Sequence, residues 1–186
     1  MFNKYRVIGC DGTHVPLSKK LDKEGYKLTK NQTYVDATIN GLYDVLNNMV
    51  IDLHLTPYSE QKAYYEQIPN LQKGDIVIHD RNYFSHKLLE TLIENNVDCI
   101  FRMKKNSKYV QGLGDSRDIT YHIKNSITMN TIQFRVIRYI VDKEVYYLGT
   151  TLRDSLFTID VLKDLYWMRW NIETFFKTIK YRLRRI

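Results

Sequence analysis

The first hundred residues alternate short apolar runs with polar turns, a pattern typical of a sheet with intervening helices. Residues 5 to about 17 predict a strand, and the polar, Lys-rich residues 18–32 predict a loop or lid. Residues 34–46 and 49–55 are β-branched and apolar, and two asparagines separate them, so they predict a hairpin. The chain is therefore expected to begin with an antiparallel sheet.

Helices and strands then alternate. Residues 59–71 carry apolar positions at helical spacing behind a serine that can cap, and residues 85–96 repeat that arrangement. Short apolar runs at 76–79 and 98–103 predict strands. This order combines an antiparallel hairpin with parallel crossovers, which predicts an α/β fold with a mixed sheet.

The remaining pattern predicts a β-rich segment followed by one long helix. Residues 106–157 show no helical period, and strands are expected at 119–123, 131–141 and 144–150. A helix is expected from Ile159 onward, with an apolar stripe along one side. The stripe consists of Leu165, Met168, Ile172, Phe175, Phe176, Ile179 and Leu183.

Four polar residues are predicted to share one face of that last helix. Tyr166, Arg169, Glu173 and Lys180 lie at offsets of 0, 3, 7 and 14. At about 100° per residue these offsets fall at roughly 0°, −60°, −20° and −40° around the helix axis. One carboxylate, two permanent cations and a phenol on one face suit contact with a metal-bound phosphodiester.

Two further acids stand at the ends of apolar strands. Asp11 follows Val7-Ile8-Gly9-Cys10, and Asp80 follows Ile76-Val77-Ile78-His79. Either acid alone would more often be a turn former than a ligand. Three other acids near strands are expected to be surface or turn residues, namely Asp36, Asp44 and Asp52.

The three motifs together resemble the catalytic domain of insertion-sequence DDE transposases, in the branch with the Tyr-Arg-Glu-Lys signature. The resemblance implies a ribonuclease-H-like fold over residues 1–186, a single catalytic domain with a β-rich insertion at about 106–157. It implies that Asp11, Asp80 and Glu173 are catalytic metal ligands, and that Tyr166, Arg169 and Lys180 contact DNA. Two Mg²⁺ ions are expected, and Mn²⁺ is expected to substitute for them.

The function implied is cut-and-paste DNA transposition, by phosphodiester hydrolysis and transesterification. The expected partners are the ends of the mobile element and the target DNA. The full-length form is expected to be a homodimer on DNA, in the cytoplasm and associated with the nucleoid, without membrane contact. Because the chain begins at the first catalytic strand and ends six residues after Lys180, a fragment truncated at both ends is expected. The DNA-recognition and oligomerisation regions of the family would then be absent.

Charge supports a polyanionic partner, and it is unevenly distributed. The net charge is +7, and residues 166–186 hold six basic residues against one acid. A solvated basic tail explains the arginines after residue 181 equally well. No apolar run reaches the length of a membrane span, and neither cysteine shows metal-ligand spacing, so Cys10 and Cys99 are expected to be buried thiols.

Several alternatives remain open at this stage. An inactive or domesticated DNA-binding remnant, or a nuclease of the same fold without strand transfer, would show the same motifs. His79 is expected to be a packed histidine, and Trp167 is expected to pack in a core or against another domain rather than stack on a base. Asn82 stands where the family has glycine, which predicts an altered turn after Asp80. The basic cluster Arg102, Lys104, Lys105 and Lys108 suits phosphate contact and plain solvation equally.

Overall fold

A computed structural model describes residues 5–31, 33–125 and 131–183, the side chain of Leu183 excepted. Arg184 and Arg185, which the sequence places in the basic tail, lie outside the described residues. The chain divides into two compact units. Unit 1 comprises Met1–Val7 and Gln72–Met168, and unit 2 comprises Ile8–Leu71 and Arg169–Ile186. None of the helices described has the length and apolar character needed to cross a membrane.

Unit 2 contains an antiparallel sheet centred on β3. The strands are β1 (Val7–Ser18, of which Val7 is assigned to unit 1), β2 (Lys27–Leu28), β3 (Tyr34–Asp44) and β4 (Met49–Thr56). Strand β3 pairs antiparallel with all three others, and the expected β3–β4 hairpin is confirmed. Asp44 accepts hydrogen bonds from the backbone N–H groups of Leu46 and Asn47, and Asn48 has a φ of 53°, so the two turn features close the hairpin together.

The helices of unit 2 are short except for the last. A 3₁₀ turn (Lys19–Glu24) and the two-residue strand β2 lie in the segment expected to be a loop or lid, so that expectation was partly wrong. Helix α1 (Glu60–Gln67) packs on β3 and β4 and is followed by a 3₁₀ turn (Ile68–Asn70). Ser59 occupies the N-cap position of α1, but its side chain makes no capping hydrogen bond.

Unit 1 contains a five-stranded mixed sheet in the order β5-β6-β9-β8-β7. Its strands are β5 (Ile76–His79), β6 (Asp98–Arg102), β7 (Asp118–Lys124), β8 (Thr131–Val141) and β9 (Glu144–Thr150). Strands β5 and β6 are parallel, and the other neighbours are antiparallel. The three strands expected between residues 106 and 157 are therefore confirmed, and a short helix that the sequence did not predict, α3 (Lys108–Gln111), precedes them.

Aromatic rings fill the core of unit 1. Phe84 stacks on Phe134 at 5.3 Å between ring centroids and meets Phe101 edge-on at 5.4 Å. His79 is fully buried and stacks on Phe101 at 4.5 Å, and burial lowers the pKa of His79 to about 3. His79 is thus a packed, neutral histidine, as expected. Cys99 in unit 1 and Cys10 in unit 2 are both buried, which confirms the expectation for the thiols.

Two helices cover the sheet of unit 1. Helix α2 (His86–Glu94) packs on β6, and helix α4 (Ile159–Trp167) packs on β8. The side-chain hydroxyl of Ser85 accepts a hydrogen bond from the backbone N–H of Leu88 at 3.1 Å, so the predicted cap of α2 is confirmed. With helices on a mixed sheet, the structure confirms the expected α/β class and is consistent with a ribonuclease-H-like fold.

The expectation of one continuous final helix was wrong. Helix α4 ends at Trp167, residues 168–169 form a turn, and α5 (Trp170–Leu183) begins after it. Backbone N–H groups on either side of the turn bond to carbonyls three residues back: Met168 to Leu165 at 3.1 Å and Ile172 to Arg169 at 3.2 Å. This tighter 3₁₀-type bonding interrupts the helix without proline or glycine. The apolar stripe continues through the turn, so periodicity could not reveal it.

The expected burial of Trp167 was also wrong. Its side chain is 48% exposed, and that of Trp170 is 44% exposed. In α4 the buried side includes Leu162, Leu165 and Tyr166, which leaves the neighbouring Trp167 on the outer side. Helical geometry explains this result, because adjacent residues lie about 100° apart around the axis.

Ser59 and Ser85 both occupy helix N-cap positions, but only the side chain of Ser85 makes a capping hydrogen bond. We expect Ser85→Ala to lower the free energy of unfolding by about 1 kcal/mol, because the N–H of Leu88 loses its acceptor. Ser59→Ala is the matched control and should leave stability nearly unchanged, since Ser59 makes no capping bond. Urea denaturation of both variants measures the difference. Equal losses in the two variants would contradict the capping assignment.

Candidate active site

Helix α5 lies against the face of the unit 2 sheet where two glycines occur. A Cβ atom added to Gly9 of β1 would lie 3.5 Å from Cγ2 of Ile172, and one added to Gly41 of β3 would lie 3.1 Å from Cζ of Phe176. Ile172 and Phe176 are both buried. Glycine at the two strand positions therefore lets the helix approach the strands closely.

Strand alternation places Asp11 on this same face. Residues two apart in a strand project to the same side, so Asp11 shares the side of Gly9, and it pairs across the strands with Gly41. Two residues further along β3, Tyr43 stacks on Phe175 of α5 at 5.1 Å. The sheet and the helix thus fix the position of Asp11 relative to the first turns of α5.

Arg169 connects two of the three predicted catalytic acids. Its Nη1 donates to Oδ2 of Asp11 at 3.1 Å, and its Nη2 donates to Oε1 of Glu173 at 2.5 Å. The guanidinium is nearly buried, with 6% of the side chain exposed, against 18% for Asp11 and 26% for Glu173. One cation therefore lies between two carboxylates that would otherwise repel each other.

The electrostatics of Asp11 reflect its burial more than its partner. Burial raises the pKa of Asp11 to about 6, and the negative charges of Glu173 and Glu60 act in the same direction. The positive charge of Arg169 and the backbone N–H of Gly12 act in the opposite direction and lower the pKa. Desolvation wins, so this carboxyl group holds its proton near neutral pH more readily than an exposed aspartate.

Glu173 lies in the first turn of α5. Backbone N–H groups at a helix N-terminus favour a negative charge, so this position stabilises the carboxylate. Nearby, the side-chain amide of Asn171 donates to the carbonyl of Val45 at 3.2 Å and connects the start of the helix to the turn between β3 and β4. The first turn of α5 is therefore held in place by a polar contact as well as by apolar packing.

Glu60 is an acid near this site that sequence reasoning missed. It is the first residue of α1, and its charge raises the pKa of Asp11. A Cβ atom on Gly12 would overlap the outer atoms of the Glu60 side chain, so a larger residue at position 12 would require that side chain to move. The available signal was the pairing of a helix-starting acid with a glycine directly after Asp11.

The other predicted residues are distributed between the two units. Lys180 is half-buried on α5, seven residues after Glu173, which corresponds to about 10 Å along the helix axis. Tyr166 belongs to α4 in unit 1 and is 5% exposed. Burial raises the pKa of the neighbouring Tyr139, and Tyr166 adds to that rise. The expected strip therefore does not lie on one helix. Arg169 and Glu173 still meet, because both flank the start of α5.

Asp80 follows β5 in unit 1 and is half-buried. Its carbonyl accepts a hydrogen bond from the N–H of Tyr83 at 3.1 Å, which closes a turn over residues 80–83. Asn82 lies in this turn, and its φ is not positive. The turn thus needs no glycine, and asparagine at position 82 is compatible with it.

Carboxylate oxygens are the ligands that Mg²⁺ and Mn²⁺ prefer, and the pair Asp11–Glu173 already accommodates one cationic group. The donor set therefore fits a divalent ion. Among the residues that the structure describes, no group of three or more His, Cys, Asp or Glu side chains is arranged to hold one. The three-carboxylate arrangement with Asp80 stays a prediction.

Comparison with known proteins identifies the family. A search of curated proteins gave no match. The family model for the transposase DDE domain, in contrast, matches residues 2–186, nearly the whole chain. This match agrees with the mixed α/β fold. The chain belongs to the transposase DDE domain family.

Proposed function

We propose that this chain carries out metal-dependent DNA cleavage and strand transfer in cut-and-paste transposition, as the catalytic domain of a transposase of the Tyr-Arg-Glu-Lys branch. Membership of the family implies DNA as the substrate. The observation that carries the proposal is the meeting of Asp11 and Glu173 at the Arg169 guanidinium. Two acids from a strand and a helix, 162 positions apart in the sequence, come together on one face of the sheet.

The acidic and basic residues would have different roles. Asp11 and Glu173, with Asp80 as the third ligand implied by the family, would hold two Mg²⁺ ions. When bound, such ions activate the attacking oxygen and stabilise the leaving oxygen of a phosphodiester. Arg169 holds the two carboxylates of unit 2 in register. Lys180 supplies a cation for the phosphate backbone, and Tyr166 contributes as a family-implied DNA contact.

A non-catalytic DNA-binding remnant is the competing function. One observation favours it: Arg169 bonds to both Asp11 and Glu173, an arrangement that could serve structure alone. A remnant would keep this ion-pair network as a structural element and bind DNA through its cations alone. A metal-dependent transposase would instead need the same carboxylates for cleavage.

Substitutions of the acids should abolish metal-dependent cleavage without weakening DNA binding. Glu173→Gln barely changes size, so DNA binding in EDTA should hold or tighten slightly, while Mn²⁺-dependent cleavage should collapse because an amide is a poor ligand. We expect Asp80→Asn to behave in the same way. Binding is measured by fluorescence anisotropy in EDTA, and cleavage and strand transfer are measured with pre-cleaved element ends in Mn²⁺.

Lys180→Ala is the matched control for these variants. It leaves the carboxylates intact and removes one cation, so affinity for DNA should weaken. Cleavage should persist at a lower rate, with an activation free energy about 1–3 kcal/mol higher. Equal loss of binding and cleavage in all three variants would mean that these residues only contact DNA. The remnant would then be the better description.

The contribution of Arg169 to the free energy of unfolding should be larger without metal than with it. We expect Arg169→Gln to lower the free energy of unfolding in EDTA by about 3 kcal/mol, because two partly buried carboxylates lose their cation. Saturating Mn²⁺ should restore much of that loss, since a divalent ion replaces the missing charge. Thermal unfolding with and without Mn²⁺ measures both effects.

Another arginine offers a control for this test. Arg135 donates to Asp118 at 2.5 Å in unit 1, and its side chain is 15% exposed. Arg135→Gln should also destabilise the protein, but Mn²⁺ should restore nothing. Rescue of both variants, or of neither, would contradict metal binding at Asp11 and Glu173.

The raised pKa of Asp11 predicts a pH-dependent metal affinity. The carboxyl must lose its proton to bind a cation, so Mn²⁺ affinity should rise up to about tenfold per pH unit below about 6. Above that pH the affinity should level off. Titration of Mn²⁺ by electron paramagnetic resonance between pH 5 and 8 tests this. A flat profile between pH 5 and 6 would show that Asp11 is not a ligand.

A further inference from the structure

Unit 1 contains an open basic cavity of about 510 Å³, which lies within the range of about 300–1,000 Å³ for ligand sites. We refer to it as the basic cavity. Three chain segments surround it: the turn after β5, the segment after β6, and the first residues of β9. The lining residues are Arg81, Asn82, Arg102, Met103, Lys104, Lys105, Asn106, Val145, Tyr146 and Tyr147.

Topology explains why a cavity forms there. Strands β5 and β6 are parallel, and ligands of α/β sheets bind outside the carboxyl ends of parallel strands. Strand β9 pairs with β6 only from Leu148 to Thr150, so residues 145–147 extend beyond the last residue of β6. This extension leaves a notch at the carboxyl ends of β5 and β6.

The charge of the basic cavity is entirely positive. Arg81, Arg102, Lys104 and Lys105 line it, and no acid does. Three of the four are exposed, and Arg102 is half-buried. Within the described residues none of the four forms an ion pair with a carboxylate. Four cations without acids in a concave site attract an anion with several negative charges.

Arg102 is oriented by a stack of tyrosines. Its guanidinium lies over the ring of Tyr146, 5.1 Å from the centroid, and Tyr146 stacks on the buried Tyr139 at 5.5 Å with a 19° angle between the rings. The stack fixes one face of the guanidinium and leaves its N–H groups to bond an anion. Pre-orientation of this kind favours a phosphate group, which arginine binds with two parallel hydrogen bonds.

Tyr147 adds an aromatic surface beside the cations. It is half-buried, and its ring stacks on no other ring in the described part of the chain. A partly exposed ring next to phosphate-binding residues is the arrangement by which proteins bind unpaired nucleotides. A duplex would keep its bases stacked inside and could not use the ring.

We propose that the basic cavity binds a single-stranded segment of nucleic acid, with phosphates on Arg102, Lys104 and Lys105 and a base stacked on Tyr147. This inference rests on the proposed function in taking DNA as the ligand, but it requires neither metal nor cleavage. Its test is made in EDTA, so failure of strand binding and failure of catalysis are separate results.

The test compares two labelled oligonucleotides of equal length, oligo-dT and its abasic analogue, by fluorescence anisotropy. Lys104→Ala/Lys105→Ala should weaken the binding of both at least tenfold at 0.15 M salt. A plot of log affinity against log salt concentration should also become less steep by about 1.4, which is about 0.7 for each lost phosphate contact on a single strand. The control Arg117→Ala/Lys124→Ala removes the same charge from exposed positions of unit 1 outside the cavity and should change affinity less than twofold.

Two substitutions at Tyr147 isolate the stacking. Tyr147→Leu should weaken oligo-dT about fivefold or more and leave the abasic strand unchanged, whereas Tyr147→Phe should retain both affinities. Equal weakening by the control pair, equal effects of Tyr147→Leu on both oligonucleotides, or equally tight binding of a duplex of the same length would each overturn the proposal. The comparison between ligands keeps it testable even if Tyr147→Leu reduces stability.

Discussion

The contact of Arg169 with Asp11 and Glu173 is the interaction on which the candidate site depends. Two carboxylates brought together in a partly buried place repel each other, and the pKa of Asp11 stays raised, at about 6, because its burial outweighs the opposing charge of Arg169. A guanidinium bonded to both offsets that repulsion, and its planar shape reaches two acceptors at once. Without a cation between them, the strand and the helix would hold these acids side by side only at a cost in stability.

Backbone geometry makes this contact possible. Glycines at positions 9 and 41 let α5 approach the sheet, and glycine at position 12 leaves room for Glu60. The turn at residues 168–169 then places Arg169 just before the first turn of α5, four residues from Glu173. The site is therefore built by small residues and a helix interruption as much as by its charged residues.

Sequence patterns predicted the strands and most helices because each carries its own signal. The hairpin of β3 and β4, the buried run of β5 and the capped start of α2 follow from alternation, apolar runs and a serine. The interruption between α4 and α5 was missed because its cause is backbone hydrogen bonding, which leaves the apolar spacing intact. Trp167 was misjudged because an aromatic side chain suits both a core and a surface, and only the rotation of α4 decides between them.

The basic cavity shows how much of the charge distribution the sequence can reveal. Sequence counting found the positive excess in the last 21 residues, which hold six basic residues and one acid. For the basic cavity, the sequence showed Arg102, Lys104 and Lys105 as a cluster, but it gave no sign that Arg81, about twenty residues earlier, lines the same cavity. Parallel pairing of β5 and β6 brings these loops to the same edge, and the extension of β9 adds the tyrosines. The sequence thus showed a local cluster of cations, whereas the concave site that they form with Arg81 and the tyrosines depends on strand topology.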